Sequence, residues 1–314
     1  MSIRVFDKAA VEQLLDGREL LDALEGGFVA LSRGEVVAPM RIEVAVEKGY
    51  SLAMPAYRQG GHIVVKIVNV FEGNETVGLP SHQAVICAFD AETGSCVAFL
   101  DATAITASRT AAAAVLSTRM LARRNARVLT IVGAGVQGLA HLELMPLVRP
   151  LDEIRIASLR YEDAERLAAL DDRAVAVESV AEAVRSSDIV SLCTHSGTPV
   201  IDPAWVQPGT HVTSVGYCQP QSELPAGLLE RASLFVETRL AFEPTPVGCF
   251  ELQGLDPGRA AELGEVLAGL KAARRSDEEI TVYKAMGHAI EDHVATELVL
   301  RHSAQLDRVV SVQL

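Results

Sequence analysis

A glycine-rich segment in the middle of the chain constrains the fold more than any other feature. It reads Val-Leu-Thr-Ile-Val-Gly133-Ala-Gly135-Val-Gln-Gly138 and continues into Leu-Ala-His-Leu-Glu-Leu. The apolar run before the glycines is typical of a strand buried on both faces, and the residues after them are typical of a helix. In this context Gly133 makes a tight turn, Gly135 lets the backbone approach a pyrophosphate, and Gly138 lets helix and strand pack closely. The segment therefore predicts a dinucleotide held at a helix N-terminus.

The residues around this segment alternate between strand-like and helical stretches. Short apolar runs typical of strands lie at 128–132, 154–157, 189–193, 211–215 and 234–236. Helical stretches separate these runs, which indicates βαβ units and a parallel sheet. We therefore predict a Rossmann dinucleotide-binding domain over residues 124–293. The last long helix is predicted over roughly 278–302.

The first part of the chain has a different pattern. Apolar positions at helical spacing predict a helix over 8–34, and an Ala-rich helix is predicted over 104–124. Between them, β-branched or alternating runs divided by glycine turns predict strands at 41–47, 50–58, 62–71, 82–89 and 96–101. The fold class is thus α/β, a Rossmann domain joined to an α+β domain over 1–123 whose sheet is mostly antiparallel. We expect the C-terminal segment 294–314 to join this first domain.

The end of the second Rossmann strand bears on the choice of cofactor. NAD-binding proteins place an acidic residue there, about 20 residues after the glycines, to accept the ribose 2′-hydroxyl. Here the sequence is Ile154-Arg-Ile-Ala-Ser158-Leu-Arg160, with no carboxylate at the strand end. Ser158 and Arg160 can instead hold a 2′-phosphate. The sequence therefore favours NADP over NAD, with NAD as the alternative.

Charge and cysteine content exclude several classes of protein. The 314 residues include 28 Lys and Arg against 41 Asp and Glu, a net charge of −13, which makes nucleic acid and anionic membranes poor partners. Five cysteines without CxxC spacing indicate reduced thiols. The charged N-terminus lacks the apolar stretch of a signal peptide, so we expect a cytoplasmic location. No metal site is expected, since His288 and His293 do not share a helix face.

Three cations in the first domain are candidates for binding an anionic substrate. Arg41 follows Pro39-Met40, Lys66 interrupts the apolar strand Ile63-Val-Val-Lys66-Ile-Val, and Arg109 lies near the start of the Ala-rich helix. A lysine flanked by Val and Ile is costly to bury alone, so Lys66 either faces solvent or has an anionic partner. Arginine offers a bidentate fork to a carboxylate, and lysine offers a point charge that can also donate a proton.

The chain resembles the ornithine cyclodeaminase/mu-crystallin family over nearly its whole length. The matching residues are Met54-Pro55, Lys66-Ile-Val-Asn69, Asn74, Gly78-Leu79-Pro80, Leu100-Asp101, Ile105-Thr-Ala-Ser-Arg109-Thr-Ala-Ala, the Gly133 segment, Gly216, Glu223-Leu224 and Ile280-Thr-Val-Tyr-Lys284-Ala-Met-Gly287-His-Ala-Ile-Glu-Asp292. They occur in the family's order along the chain.

The resemblance implies a homodimer in which the first domain pairs the subunits and holds a small amino or imino acid. By this likeness Arg41, Lys66 and Arg109 bind the substrate carboxylate and act in catalysis, and Met54 also lies at the substrate. The Rossmann domain is implied to hold NAD(P). The residues that match the family's dinucleotide contacts are Thr110, Gly133, Gly135, Val136, Gln137, Gly138, Ser158, Arg160, Thr194, His195, Ser196, Val215, Lys284 and Gly287.

Two departures from the ornithine cyclodeaminases bear on the reaction. Those enzymes have a proton-transferring aspartate shortly after the glycine that matches Gly216, and here Cys218 stands in its place, in a stretch one residue shorter. They also have a glutamate two residues before Met-Pro, where this chain has Leu52. Without these two carboxylates, ornithine deamination is disfavoured.

The expected function is NAD(P)H-dependent reduction of small imino acids of the ketimine or pyrroline-2-carboxylate type. The alternatives are ornithine cyclodeamination, alanine dehydrogenation and non-enzymatic, NADP-dependent ligand binding. Asp292 is left between two roles, support of the cofactor site and capping of local structure.

Overall fold

The computed structural model describes residues 2–218, 223–306 and 309–313. Contacts divide the chain into two compact units, residues 1–109 with 287–314, and residues 110–286. The sequence pattern placed these boundaries at 123/124 and 293/294. The observed division falls inside the Ala-rich helix and before the C-terminal helix, because the packing of a helix, and not its ends, decides which unit its residues belong to. The predicted roles of the two domains stay predictions.

The strands, in chain order, are β1 (Ser2–Phe6), β2 (Val36–Val37), β3 (Ile42–Val46), β4 (Gly49–Arg58), β5 (Ile63–Val70), β6 (His82–Phe89), β7 (Cys96–Asp101), β8 (Val128–Val132), β9 (Glu153–Ala157), β10 (Ala174–Ala176), β11 (Ile189–Leu192), β12 (His211–Ser214), β13 (Ser233–Val236), β14 (Ala260–Glu262), β15 (Thr281–Lys284) and β16 (Val310–Gln313). The α-helices are α1 (Lys8–Leu14), α2 (Gly17–Ser32), α3 (Ala102–Leu121), α4 (Val136–Leu144), α5 (Tyr161–Ala168), α6 (Val180–Arg185), α7 (Ala226–Arg231), α8 (Leu263–Leu267) and α9 (Ala289–His302).

The first unit contains a mixed sheet of order β16-β1-β7-β6-β5-β4-β2, with β3 paired to β4. In the sheet of the first unit, only the β1–β7 pairing among the described strands is parallel, so the predicted, mostly antiparallel sheet is confirmed. Helix α9 packs against α2, β4 and β5. Burial alternates along β5, so that Lys66 shares the inward face with Val64 and Val68.

One long helix over 8–34 was a wrong prediction. The structure has two helices, because the Asp16 side chain accepts hydrogen bonds from the backbone of Arg18 and Glu19 and starts a new helix there. The apolar spacing continues across this break, which is why the pattern read as one element.

The second unit contains an all-parallel sheet of order β10-β9-β8-β11-β12-β15-β13-β14. The strands run outward from β8 in both directions, to β9 and β10 on one side and to β11 and β12 on the other, as in a Rossmann fold. The sheet confirms the predicted fold class. Its apolar core includes Val132, Val190, Leu192 and Val212, all nearly inaccessible to solvent.

A helix over 278–302 was also wrong in its first half. Thr281-Val-Tyr-Lys284 is a fully buried strand, β15, paired with β12 on one side and β13 on the other. The helix itself begins only at Ala289, where His288 and Glu291 form a reciprocal capping box. Within the described residues, no helix is long and apolar enough to cross a membrane.

Candidate active site

The glycine segment of the second unit has the geometry of a pyrophosphate-binding loop. Gly133 follows β8 with φ +111°, and a Cβ there would lie 2.5 Å from the carbonyl oxygen of Cys193. A Cβ on Gly138 would collide with the Gly133 carbonyl, whereas one on Gly135 would meet no atom within 4 Å. The first and third glycines are thus required by packing, while the second borders open space. These residues fit a dinucleotide, and the absence of a side chain at Gly135 keeps room for it.

Helix α4 begins directly at this loop. Gly135 is its N-cap residue and provides no side-chain cap to the first turn. The first helical residue, Val136, is 66% exposed, and Gln137 beside it is half-buried. The open N-terminus of α4 is therefore suited to an anionic ligand, because the helix dipole and its first N–H groups point there.

Two residues that follow β9 are expected to determine the specificity for NAD or NADP. Ser158 is half-buried, and Arg160 is the N-cap residue of α5. The Arg160 side chain is 74% exposed, and its Nε donates to the carboxylate of Asp163 over 2.7 Å. Asp163 also accepts from Arg166. The Arg160 guanidinium is thus oriented by a neighbouring carboxylate and accessible to solvent.

The carboxyl ends of β11 and β12 are joined by a side chain that the sequence did not mark as functional, Glu223. Its Oε2 accepts from the backbone N and the hydroxyl of Thr194, over 2.8 and 2.7 Å. Its Oε1 accepts from the Ser214 hydroxyl over 2.8 Å and from the Gly216 backbone over 2.7 Å. Glu223 is fully buried. In the sequence Glu223 stands out only as part of a motif that matches the family, because nothing local shows which hydrogen-bond donors a distant loop will bring to it.

Most of the other predicted cofactor residues of this unit follow β11 and β12. His195 is exposed, Ser196 donates its hydroxyl to the Thr198 carbonyl over 2.7 Å, and Val215 is half-buried just after β12. Thr110 is half-buried on α3. Their predicted contacts with a dinucleotide stay predictions.

The Lys284 ammonium contacts several protein groups. It donates to the Gly216 carbonyl over 2.5 Å and to the Ser214 hydroxyl over 3.2 Å, and it lies 2.8 Å from a carboxylate oxygen of Glu251. Burial lowers the pKa of Lys284, but the charges of Glu251 and Glu223 outweigh this, and the net pKa is raised. Lys284 therefore stays cationic and ties β15 to the end of β12.

The first unit places Lys66 against a carboxylate. Its Nζ lies 2.8 Å from both oxygens of Asp292, and both side chains are only 1% exposed. Of the two alternatives left by the sequence, an anionic partner is correct. The partner lies 226 residues further along the chain, on α9, and a strand pattern cannot foresee such a contact. Asp292 is therefore a counter-ion, not a local cap.

Arg109 reaches the same helix turn. Its Nη1 donates to Glu291 over 2.8 Å, and its Nε lies 3.1 Å from Asp292. Arg41 donates to the Gly287 carbonyl over 2.6 Å. Gly287 has φ +74°, and a Cβ there would lie 2.8 Å from the Arg109 Nη2. Only glycine lets the chain pass this close to the guanidinium.

These side chains form a cationic cluster, by which we mean Arg41, Lys66, Arg109, Glu291 and Asp292. It contains three cations and two carboxylates, and all except the half-buried Arg41 are at most 5% exposed. Burial lowers the pKa of Lys66 to about 8, helped by the charge of Arg109 and opposed by the carboxylates of Asp292 and Glu291. The excess of positive charge in a dry environment suits an anionic ligand.

His288, between Gly287 and the helix, is kept neutral. Its Nδ1 accepts from the Ile290 backbone over 3.2 Å, and Glu291 accepts from the His288 backbone over 2.7 Å. Burial lowers the pKa of His288 to about 4, and the nearby cations Arg41 and Arg109 act in the same direction. The capping box thus fixes Glu291, which in turn holds Arg109.

Two apolar residues lie on the inward face of β4. Met54 is paired in register with Lys66, and Leu52 occupies the position two residues earlier on the same face. Both are buried, at 4% and 8% exposure. Cys218 is half-buried, and the stretch 219–222 that follows it lies outside the described residues.

The comparisons with known proteins agree with this geometry. A model of the ornithine cyclodeaminase/mu-crystallin family matches residues 3–305, and the chain belongs to that family. Ketimine reductase mu-crystallin of Mus musculus is 37% identical over 288 residues, which covers 89% of this chain and 90% of that protein.

Two solved structures share the whole fold. A Thermococcus litoralis Delta(1)-pyrroline-2-carboxylate reductase in complex with NADH and L-proline is 30% identical, with a TM-score of 0.92 over 99% of this chain and 100% of that one. An archaeal alanine dehydrogenase dimer with bound NAD is 29% identical, with a TM-score of 0.90 over 100% and 99%. The predicted family is thus confirmed, and the structural relatives bind NADH or NAD.

Proposed function

We propose that this protein reduces small imino acids to amino acids with NADPH or NADH. The observation that carries the proposal is the cationic cluster, with three cations against two carboxylates. A ligand carboxylate matches the hydrogen-bond donors and positive charges that these cations offer. Relatives named as a ketimine reductase and a pyrroline-2-carboxylate reductase support imino acids as the substrate class.

Arg41 and Arg109 bind the substrate carboxylate in this proposal. The planar guanidinium matches the two oxygens of a carboxylate, and Arg109 is held in place by Glu291 and Asp292. Met54 and Leu52 present apolar surface, which suits the hydrocarbon part of an imino acid and offers no partner for a second amino group.

Lys66 donates the proton that the imine nitrogen gains. With a pKa of about 8 its ammonium is close to the pH range in which a proton can be exchanged efficiently. The imine carbon gains a hydride and the nitrogen gains this proton, which together give the amine. Asp292 keeps the lysine cationic before the transfer.

The hydride would come from the nicotinamide of a dinucleotide held by the second unit. The Gly133 loop and the N-terminus of α4 bind the pyrophosphate, as their open geometry at Gly135 supports. Ser158 and Arg160 bind a 2′-phosphate, so we propose a preference for NADP. The exposed Arg160 guanidinium supports this assignment.

The reaction is distinguished from its rivals by whether NAD(P)H is consumed. Purified protein is mixed with NADPH or NADH and with pyrroline-2-carboxylate, piperideine-2-carboxylate, pyruvate plus ammonia, or ornithine. We expect oxidation of the dinucleotide with the cyclic imines and formation of the matching amino acid. Ammonia release from ornithine without net oxidation would instead indicate a cyclodeaminase. NAD(P)H oxidation with pyruvate plus ammonia, but not with the cyclic imines, would indicate an alanine dehydrogenase.

A matched pair of variants tests the cluster. Lys66→Met is expected to abolish most turnover, while Lys48→Met, at an exposed lysine between β3 and β4, leaves it unchanged. If no compound gives turnover with either dinucleotide, the protein is a ligand-binding protein and the proposal fails. Full activity in Lys66→Met would remove the lysine from the mechanism.

We also propose that the protein is a homodimer paired through its first unit. Large apolar side chains are exposed on that unit's sheet, among them Ile42, Val44, Val85 and Phe99 at 38–64% exposure. Exposed apolar surface of this kind marks an interaction face, and the related alanine dehydrogenase is a dimer. Light scattering on the eluting protein is expected to give twice the chain mass.

A further inference from the structure

Both oxygens of the buried Glu223 carboxylate accept hydrogen bonds from protein donors. It accepts four hydrogen bonds, two on each oxygen, from Thr194, Ser214 and Gly216. A carboxylate can accept at both oxygens, whereas a side-chain amide would turn its NH2 group toward two of these donors. The backbone N–H groups of Thr194 and Gly216 cannot reorient to suit another side chain. The site is therefore built for this one residue.

The partners of Glu223 lie at the ends of two adjacent strands. Thr194 follows β11, and Ser214 and Gly216 lie at the end of β12. A Cβ on Gly216 would come within 2.6 Å of the Glu223 carboxyl carbon, so the backbone passes directly against the carboxylate. One side chain thus fixes the spacing of both loops.

A second charged group extends the connection to β15. The Lys284 ammonium donates to the carbonyl of Gly216 and to the hydroxyl of Ser214, which itself donates to Glu223. Glu251 balances the lysine over 2.8 Å. The carboxyl ends of β11, β12 and β15 are therefore joined through a buried network, and a change at Glu223 disturbs all three.

This edge belongs to one half of a dinucleotide site. In a parallel sheet of this order, ligands bind beyond the carboxyl ends of the strands, and each half of the sheet serves one mononucleotide. The glycine loop and the 2′-phosphate residues belong to β8 and β9. The loops after β11 and β12 therefore serve the nicotinamide half.

We propose that Glu223 is a positioning residue for the nicotinamide half of the cofactor, acting through the loops that contain Thr194 and Gly216. The inference rests on the proposed dinucleotide binding. It assigns no contact between Glu223 and the ligand, since the carboxylate is fully buried and its oxygens are occupied by protein donors. Removing its charge misplaces the loops and weakens the half-site that they form.

The test compares binding of NADH with binding of 5′-AMP, which occupies only the adenosine half. NADH binding is followed by its fluorescence and AMP binding by calorimetry, on the full chain. In Glu223→Gln we expect the Kd for NADH to rise at least tenfold while the Kd for AMP changes less than twofold. The matched control is Glu262→Gln, since Glu262 also accepts from a backbone N–H, that of Arg239 over 2.9 Å, but at β14. It is expected to bind both ligands like the native chain.

Equal weakening of NADH and AMP in Glu223→Gln would show a merely structural role and overturn the inference, as would an unchanged Kd for NADH. Should that variant not fold, Ser214→Ala removes one donor to the same carboxylate and is expected to raise the NADH Kd several-fold with AMP unaffected. Failure of the native chain to bind NADH or NADPH would overturn the proposed function together with this inference.

Discussion

Replacing Asp292 with asparagine tests how the cationic cluster controls Lys66. The variant keeps the shape of the side chain and removes the charge that lies 2.8 Å from the lysine Nζ. Arg109 remains and continues to disfavour the protonated lysine. The pKa of Lys66 is therefore expected to fall below its present value of about 8.

The size of the effect follows from burial. An opposite charge at this distance supports the charged form by roughly 1–3 pKa units, which corresponds to about 1.4–4 kcal/mol. In the native protein about three quarters of Lys66 is protonated at pH 7.5, as follows from a pKa of about 8. A fall of roughly two units leaves only a few per cent protonated at that pH.

The assay is the pH dependence of kcat/KM for imine reduction. If Lys66 donates the proton, activity is lost as the pH rises through its pKa, so the alkaline midpoint is expected near 8 in the native protein and near 6 in Asp292→Asn. Glu297→Gln is the control, since Glu297 lies on the same helix but pairs with His62. An unmoved midpoint in Asp292→Asn, or an equal shift in the control, would refute the reasoning.

Three further predictions concern other parts of the molecule. Arg160→Ala is expected to raise the KM for NADPH roughly ten- to a hundredfold, through loss of a charged hydrogen bond, and to leave that for NADH unchanged; an equal effect on both would contradict the NADP preference. Lys284→Met strands the buried Glu251 carboxylate and should lower the free energy of unfolding by about 3–5 kcal/mol in urea titrations, with partial recovery in Lys284→Met/Glu251→Leu. Burial lowers the pKa of His141 to about 4 and that of His211 to about 3, so the unfolded chain binds protons first and stability falls as the pH drops from about 6.5 toward 4. The pKa shift of each histidine corresponds to a loss on the order of 3 kcal/mol in the free energy of unfolding at acid pH. Between pH 7 and pH 5, the His211→Gln variant should therefore lose less stability than the native chain in the same titration.

The elements that the sequence predicted well are those whose signal is local. The run at 128–132 became β8 with the predicted bounds, because a strand buried on both faces reads as a nearly continuous apolar run, here broken only by Thr130. The φ angle of Gly133 and the close approaches at Gly133 and Gly138 agree with the predicted turn and packing, while the pyrophosphate contact at Gly135 stays a prediction. Hairpin strands such as β6 and β7 were bounded by clear turn residues.

Most of the failures share a physical cause, which is that the deciding partner is distant in sequence. Thr281-Val-Tyr-Lys284 becomes a strand because β12 and β13 flank it, although its position before a helix favoured helix. The environment of Lys66 depends on α9, and that of Glu223 depends on loops that follow two other strands. The Asp16 cap is local, but the apolar spacing across it concealed the break.

Under the proposed function, the cluster explains how a chain with a net charge of −13 would bind an anionic ligand. Glu291 and Asp292 lie against Arg109 and Lys66, so the local charges of the cluster, and not the field of the whole protein, would decide binding. An incoming carboxylate adds a further opposite charge near Lys66 and raises its pKa, because it stabilises the ammonium. Binding near pH 8 is therefore coupled to proton uptake, and the lysine is most fully protonated when the substrate is present to receive that proton. The two carboxylates thus pair with Lys66 and Arg109 in the free site, where an unpaired buried charge would be costly.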